Sequence, residues 1–443
     1  MSISQSRRKF IRNTVAVSAG VCIAKSSTAV AHPATTIVDK TASRIPKAVT
    51  EWPVWDETEE NALLNVLNSG TWGRTGGGPR CAEFEAAFSK RLQAKYCVAT
   101  SSGTTALLTA LGALNIGPGD EVILPPYTFV ATFNVVTNSY ALPVFVDSDP
   151  HSFQIDPAKI AAAVTPATKL LLPVHVGGYS ADMDAINAVA KQHSLQVIED
   201  ACQAPLAEYR GTPVGTQGIG GCFSFQSSKN LNCGEGGALT TSDEAFFHKC
   251  YNFHTPGGGK PAASAGRGSN FRLNEFQAAL LVAQFARFER QSDERNTNAT
   301  YLTELLSEIP GISPAKLTNG CTRSAYHLYM LRYDKRHFAD LPRAKFLAEL
   351  NRLGVGASSG YGTLNTTPHV RALATNAHYA RIYGPERMTR WLEQNQCPVN
   401  DQLCQDAVWF SQFSLLGARS KMDRVADAIR DVQKRASELA RAE

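Results

Sequence analysis

The stretch GGCFSFQSSKNLNCGEGGALTT, Gly220–Thr241, begins with a short apolar run of strand character, Cys222–Phe225. It passes at once into a polar turn carrying a lone Lys229 and returns through Gly234, Gly236 and Gly237. One amine is thereby set at a strand end. Returning glycines let backbone close over such a lysine, and a desolvated lysine loses proton affinity because burial disfavours its charged form. A neutral amine is a nucleophile, whereas a lysine in a solvated loop is an ordinary surface cation. The neighbours of the stretch must decide between the two.

Upstream the chain alternates strand and helix with short joints. The pattern predicts helices near 82–93, 104–114, 128–139, 156–163 and 181–193, and strands near 96–100, 121–124, 143–147, 169–174 and 195–199. Runs such as Leu170-Leu171-Leu172-Pro173-Val174 and Val197-Ile198 suit strands buried on both faces. The expected class is therefore α/β, with a mostly parallel sheet covered by helices. In such sheets ligands gather at the carboxyl ends of the strands.

Three of those ends carry polar chemistry. Ser101-Ser102-Gly103-Thr104-Thr105 leads from the first strand into a helix, where free N–H groups, hydroxyls and the helix dipole meet. Such a turn is either a phosphate cradle or an ordinary Ser/Thr cap. Glu199-Asp200-Ala201-Cys202-Gln203 places an acid where a buried strand stops. That acid needs either a core arginine or a cationic ligand such as a pyridinium N–H. Lys229 is the third. An aldehyde-reactive lysine, an acid for a ring nitrogen and a phosphate cradle are the fixed points that pyridoxal 5′-phosphate requires.

Outside this core, Asp56-x-x-Glu59 forms a capping box that opens a helix with Leu63, Leu64 and Leu67 on one face, closed by Gly70. The glycine-rich run Gly70–Pro79 reads as a loop over a site or as a plain connector. The first 31 residues hold Arg7, Arg8, Lys9, Arg12 and Lys25 and no acid. Ser6-Arg7-Arg8-Lys9-Phe10 is a twin-arginine pattern, Asn13–Ala24 is too short to span a bilayer, and Ala29-Val30-Ala31 offers a cleavage site. The expectation is a twin-arginine signal peptide over 1–31, a linker over 32–50 and an exported mature chain; without that signal the chain is cytoplasmic. Of the 44 Lys and Arg, those five fall in the signal, so the rest balances the 39 Asp and Glu. A neutral mature chain argues against nucleic-acid and membrane partners. The ten cysteines show no metal-ligand spacing and no C-x-x-C pair, so neither a metal nor a disulfide framework is expected.

The sequence resembles the DegT/DnrJ/EryC1/StrS aminotransferases, from about Trp52 to the C-terminal helix. The motifs are Ser102-Gly103-Thr104-Thr105-Ala106-Leu107, Gly117-Pro118-Gly119-Asp120-Glu121-Val122-Ile123, Tyr127-Thr128-Phe129-Val130-Ala131-Thr132, Ile198-Glu199-Asp200 and Phe223-Ser224-Phe225 with Lys229-Asn230-Leu231. The resemblance implies the aspartate aminotransferase fold (PLP fold type I), with a PLP-binding large domain over 51–307 and a small C-terminal α/β domain over 308–443. It implies that Lys229 forms the link to the cofactor aldehyde and shuttles a proton, and that Asp200 keeps the pyridine nitrogen protonated. Gln203 would contact the ring hydroxyl and Phe129 would stack on the ring. Gly103, Thr104, Thr105 and Ser224 would bind the phosphate, joined by Asn270 from the partner of a homodimer. His327, Tyr329 and Trp72 are candidates for substrate contact.

Two segments depart from the family pattern. The common His-Gly after the Ala-Gln-Ala run is Pro205-Leu206 here, and the usual Arg-x-His-Gly is Asn252-Phe253-His254-Thr255. The segments Trp52–Trp72, Gly268–Phe276 and Cys397–Trp409 look closest to the branch that includes 3-amino-5-hydroxybenzoate synthase, which works on cyclic, partly deoxygenated acceptors. The expected activity is amino transfer from glutamate or glutamine to a keto sugar or cyclitol-like ketone. The alternatives are dehydration or aromatisation of a cyclic amino ketone by the same lysine, and a PLP-binding sensor.

Overall fold

The computed structural model describes residues 52–255 and 266–441, so the expected signal peptide and linker lie outside the described residues. Helix α1 (Glu57–Ser69) starts with the expected capping box, the Asp56 side chain accepting from Thr58 N at 2.8 Å and Asp56 N donating to Glu59 at 2.9 Å. It ends at Gly70, whose φ of +67° suits glycine. Its expected apolar face is not buried. α1 buries Glu59 and Val66, and Leu64 and Leu67 stay exposed because α1 packs on the long helix α8 (below) with its Glu59 side.

The sheet of seven strands is built from β1 (Tyr96–Thr100), β2 (Glu121–Leu124), β3 (Leu142–Phe145), β4 (Thr168–Leu171), β5 (Gln196–Asp200), β8 (Gly220–Ser224) and β9 (Gly237–Thr241). Their order is β1-β9-β8-β5-β4-β2-β3, and only β9 runs against the rest. Helices α2 (Arg80–Arg91), α3 (Gly103–Ala113), α4 (Ala131–Asn138), α5 (Pro157–Ala163) and α6 (Met183–Gln192) alternate with the strands much as the sequence predicts, followed by α7 (Glu244–His254). Successive strand residues enter two separate cores. Ile123, Leu171, Val197 and Phe223 join the cluster of Phe84 and Phe88 on α2, whereas Val122, Leu170, Ile198 and Cys222 join that of Leu107 and Leu111 on α3. Alternating side chains point to opposite faces, so both faces are filled and the strands read as continuous apolar runs.

Helix α8 (Glu275–Ser307) is capped by Asn274, whose side chain accepts from Gln277 N at 3.0 Å. Its first residue holds the glycine-rich run. The Glu275 carboxylate accepts from Arg80 N at 2.7 Å and Cys81 N at 3.1 Å, and Arg74 pairs with Glu85 at 2.7 Å. The run is thus a fixed connector.

The chain then builds a four-stranded antiparallel sheet, β10-β12-β14-β13, from β10 (Ile312–Pro314), β12 (Leu328–Tyr333), β13 (Ala357–Ser358) and β14 (Ala407–Ser411). Two short strands after β5, β6 (Glu208–Tyr209) and β7 (Thr212–Pro213), pair with β11 (Cys321–Arg323) in a third sheet. Gly178 lets the β12 entry approach the main sheet. With φ of +89°, a Cβ here would lie 2.8 Å from Tyr326 N and 2.9 Å from His327 N. Its carbonyl accepts from Ala325 N and from Ser324 Oγ, both at 2.9 Å.

Among the described residues no helix is long and apolar enough to cross a membrane, and no group of three His, Cys, Asp or Glu forms a metal-binding cluster. Their nine cysteines are free thiols.

Candidate active site

Segments from four connections converge at the carboxyl edge of the sheet. Ser102–Thr104 follow β1, Thr128–Thr132 follow β2, Asp200–Gln203 end β5, and Ser224–Lys229 follow β8. With His327 and Tyr361 they line a cavity of about 480 Å³.

Lys229 sits at the tip of the β8–β9 hairpin. The strands run on past their ends through Phe225 N to Gly236 O (2.7 Å) and Ser227 N to Gly234 O (2.9 Å), and Lys229 N closes a turn on Gln226 O (2.8 Å). This holds the side chain in the cavity. Burial pushes the amine below the ordinary lysine value, against the opposing pull of Cys202 and Asp200.

The two acids of β5 have different fates. Glu199, fully buried, accepts from the N–H groups of Gly215, Gln217 and Gly218 at 2.7–2.8 Å and from His175 Nε2 at 2.9 Å, because His175 Nδ1 accepts from Ala181 N. It is a fastening for the 215–218 turn. Asp200 is 4 % exposed, accepts from Thr132 Oγ1 at 2.9 Å and from Cys202 N at 3.2 Å, and lines the cavity. No arginine or lysine among the described residues forms an ion pair with it.

At the start of α3 the Ser102 side chain caps Thr105 N at 3.1 Å, leaving the N–H groups of Gly103 and Thr104 without intrahelical acceptors. A Cβ on Gly103 would lie 2.7 Å from Ser224 Cβ and 2.8 Å from Cys202 Sγ, so glycine alone fits between the helix turn and β8. Gly237 serves the same packing from β9, since a Cβ there would fall 2.3 Å from Ser102 O. Backbone N–H groups, Ser224 and a helix N-terminus make an anion cradle.

Phe129 lines the cavity with 57 % of its surface exposed. The sequence places it at the start of a helix, yet α4 begins only at Ala131, and Phe129 stands in the preceding turn. Gln203 accepts from Gly177 N at 2.7 Å through Oε1 and donates through Nε2 to Tyr361 Oη at 2.8 Å. Tyr361 also lines an adjoining cavity of about 490 Å³ with Phe129, Leu364, Thr367 and His369. Sequence reading misses Tyr361, which sits in a loop after the two-residue strand β13 with no periodicity or motif to mark it. His327 is 8 % exposed, with Nε2 3.5 Å from Lys229 Nζ.

Four expected site residues stand elsewhere in the single chain. Thr105 spends its hydroxyl on the helix cap, bonded to Ser102 N at 2.9 Å and Ser102 O at 2.8 Å, and does not line the cavity. Tyr329 is a core residue, 1 % exposed, bonded to Thr303 Oγ1 at 2.8 Å and stacked with Phe410; the strand begins only at Leu328, so alternation cannot carry it to the face of His327. Trp72 leans on Phe276, its indole N–H on Leu67 O at 3.3 Å, outside the cavity. Asn270 is exposed and also outside it.

A lysine at a strand end, a carboxylate with no ion-pair partner among the described residues, an anion cradle and an exposed aromatic face, all on a mostly parallel α/β sheet, define an enzyme of PLP fold type I. The chain belongs to the DegT/DnrJ/EryC1/StrS aminotransferase family, whose model matches residues 53–430. It is 35 % identical over 419 residues to an L-glutamine:2-deoxy-scyllo-inosose aminotransferase of Streptoalloteichus tenebrarius, covering 89 % of this chain and 97 % of that one. It is 32 % identical over 398 residues to the 3-amino-5-hydroxybenzoate synthase of Amycolatopsis mediterranei, covering 87 % and 97 %. A crystal structure of a 3-amino-5-hydroxybenzoic acid synthase superposes with a TM-score of 0.75 at 30 % identity, covering 88 % of this chain and all of that one.

Proposed function

We propose that this aminotransferase binds pyridoxal 5′-phosphate in the 480 Å³ cavity and moves an amino group from glutamine or glutamate to a cyclic polyhydroxy ketone. The observation that carries the reading is Asp200, a carboxylate 4 % exposed, without a basic partner among the described residues, in the same cavity as Lys229. A buried charge left this way is costly unless a cation meets it, and a protonated ring nitrogen is such a cation. The rest of the cavity fits the same group. Gly103, Thr104 and Ser224 would hold the phosphate, the exposed face of Phe129 would cover the ring, and the second Nε2 hydrogen of Gln203 would reach the ring oxygen. When bound, the cofactor supplies an aldehyde that takes the amino group and a ring that withdraws electrons. Lys229, kept short of protons by burial, would serve as nucleophile and then as proton carrier.

The donor and acceptor follow the relatives that act on L-glutamine and inososes. The adjoining cavity beside Tyr361 would take the body of the acceptor. The homodimer remains part of the proposal, supported by exposed Leu64, Leu67 and Trp72 and by the position of Asn270 outside its own chain's cavity. Export through the twin-arginine segment is a further proposal, tested by sequencing the mature N-terminus.

The test is spectroscopic and chemical. The purified protein should show the visible absorbance of a lysine-linked cofactor and pass labelled nitrogen from glutamine to a keto-cyclitol. Lys229→Ala should abolish both. Retention of both by that variant refutes the assignment.

A further inference from the structure

The cavity wall contributed by the β12 entry holds a chain of contacts whose polarity is determined. Asn230 follows Lys229 directly and donates through Nδ2 to Ala325 O at 2.7 Å, which turns its Oδ1 toward His327 Nδ1 at 3.3 Å. An acceptor there requires the proton of His327 on Nδ1, so Nε2 is left bare. That bare nitrogen stands 3.5 Å from Lys229 Nζ, within reach of an N–H. Arg295 is fully buried, with Nε held by Gln412 Oε1 at 2.9 Å and Nη1 without a hydrogen-bond partner among the described residues, and its charge opposes protonation of His327. Burial, the largest cause, acts in the same direction, so the ring stays neutral beside the uncharged amine.

We propose that His327 is a positioning residue for Lys229: Nε2 accepts one N–H of the free amine and thereby turns the lone pair of that amine into the cavity. The inference rests on the cofactor reading above and adds to it a role for this chain's own histidine. A primary amine has two N–H bonds and one lone pair. Fixing one N–H on His327 removes rotation about the last side-chain bond, which otherwise points the lone pair at the wall for much of the time. The step served is condensation of the amine with the cofactor aldehyde. In that step the C=O bond would break and a C=N bond form, the carbonyl oxygen leaving as water with both amine hydrogens and no change of oxidation state.

The experiment uses the full chain stripped of cofactor. Pyridoxal phosphate is added by stopped flow and the lysine-linked absorbance is followed; affinity for pyridoxamine phosphate, which lacks the aldehyde, is measured separately. His327→Leu should slow appearance of the absorbance by about 10- to 100-fold, as loss of orientation does. Its affinity for pyridoxamine phosphate should stay within about twofold of wild type. His327→Gln, whose side-chain oxygen can accept the same N–H, should recover most of the rate. An unchanged rate in His327→Leu, or equal loss of rate and of pyridoxamine phosphate affinity, overturns the proposal. Failure of Gln to restore the rate in a variant that still binds pyridoxamine phosphate does so too. If the wild-type chain gives no such absorbance while binding pyridoxamine phosphate, the covalent role of Lys229 falls, and this inference with it.

Discussion

Replacing Asp200 by asparagine removes a charge while nearly conserving shape. The carboxylate receives Thr132 Oγ1 on one oxygen and Cys202 N on the other. An asparagine can keep its oxygen on Cys202 N and turn its NH₂ toward Thr132. The threonine hydroxyl can then accept, because it has a second partner in Thr128 Oγ1 at 2.8 Å to which it can donate. No polar group is orphaned. What is lost is the charge opposite the ring nitrogen of the proposed cofactor. A hydrogen bond to a charged group contributes about 1.5–3 kcal/mol and a neutral one about 0.5–1.5, so the difference is about 1–2 kcal/mol. Cofactor affinity should therefore fall roughly 5- to 30-fold. The rate should fall further, on the order of 10²–10³-fold, because charge develops at the ring only in the reaction and a fixed group aimed at it acts chiefly there. Titration by absorbance gives the first number, and single-turnover transfer from glutamine at saturating cofactor gives the second. The cofactor-free variant should unfold no earlier than wild type, since a buried charge without a cation has been removed. Wild-type affinity and turnover in Asp200→Asn would refute the reasoning. So would a large loss of thermal stability, which would make Asp200 a structural residue like Glu199.

Gly103→Ala pushes a Cβ to 2.7 Å from Ser224 Cβ and 2.8 Å from Cys202 Sγ. The strain of such overpacking, about 1–3 kcal/mol, should weaken pyridoxamine phosphate binding about 5- to 150-fold, and Cys202→Ala in the same chain should restore part of it. His254 is held to a pKa of about 4 by burial, with Arg74 and Arg272 adding to the shift. Below the unfolded value of 6.5 the unfolded chain binds the proton first, so stability is lost as pH falls toward about 4, with a slope approaching about 1.4 kcal/mol per pH unit from this group. Denaturant titrations of His254→Asn should show that part of the acid slope gone. Leu206 adopts φ of +67°, a left-handed backbone conformation that favours glycine. Leu206→Gly relieves about 1–2 kcal/mol of backbone strain but removes a side chain only 1 % exposed, whose loss costs about 2–5 kcal/mol, so unfolding experiments should find the variant less stable.

The parallel sheet is legible because its cause is local. A strand filled on both faces has no polar positions to spare, so Val122-Ile123-Leu124 and Val197-Ile198 announce themselves without knowledge of what they touch. The polar groups at their ends are legible for the complementary reason, since acids and hydroxyls where such a strand stops have no core function. Resolution fails where one letter serves two purposes. Glu199 and Asp200 are adjacent acids; the motif points to Asp200 for the ring nitrogen, but the structural task of Glu199 emerges only from the turn of Gly215–Gly218 folded back over it. Ser102 and Thr105 read alike, yet their mutual bonding consumes the threonine. The apolar letters of α1 fail similarly, because Leu64 and Leu67 are exposed in the single chain.

On the wall of the site that faces Lys229, His327 is expected only through the family resemblance, and Tyr361 has no local signature. His327 reaches the cavity because residue 178 is a glycine, where a Cβ would fall 2.9 Å from the His327 nitrogen, and Tyr361 because Gln203 binds its hydroxyl; both contacts join segments more than 140 residues apart. Such contacts follow from how the two sheets meet, which no window of sequence contains. The physical division is also a chemical one. Lys229, Asp200 and the α3 turn, from the main sheet, supply what any cofactor of this kind demands, and they are the groups read from motifs. Tyr361, Leu364, Thr367 and His369 arrive by the long-range route and line the adjoining space where the acceptor would lie. On the proposed reading acceptor choice would therefore rest on the residues a sequence pattern reports least well, and substitutions there should alter which ketone is used while leaving cofactor binding intact.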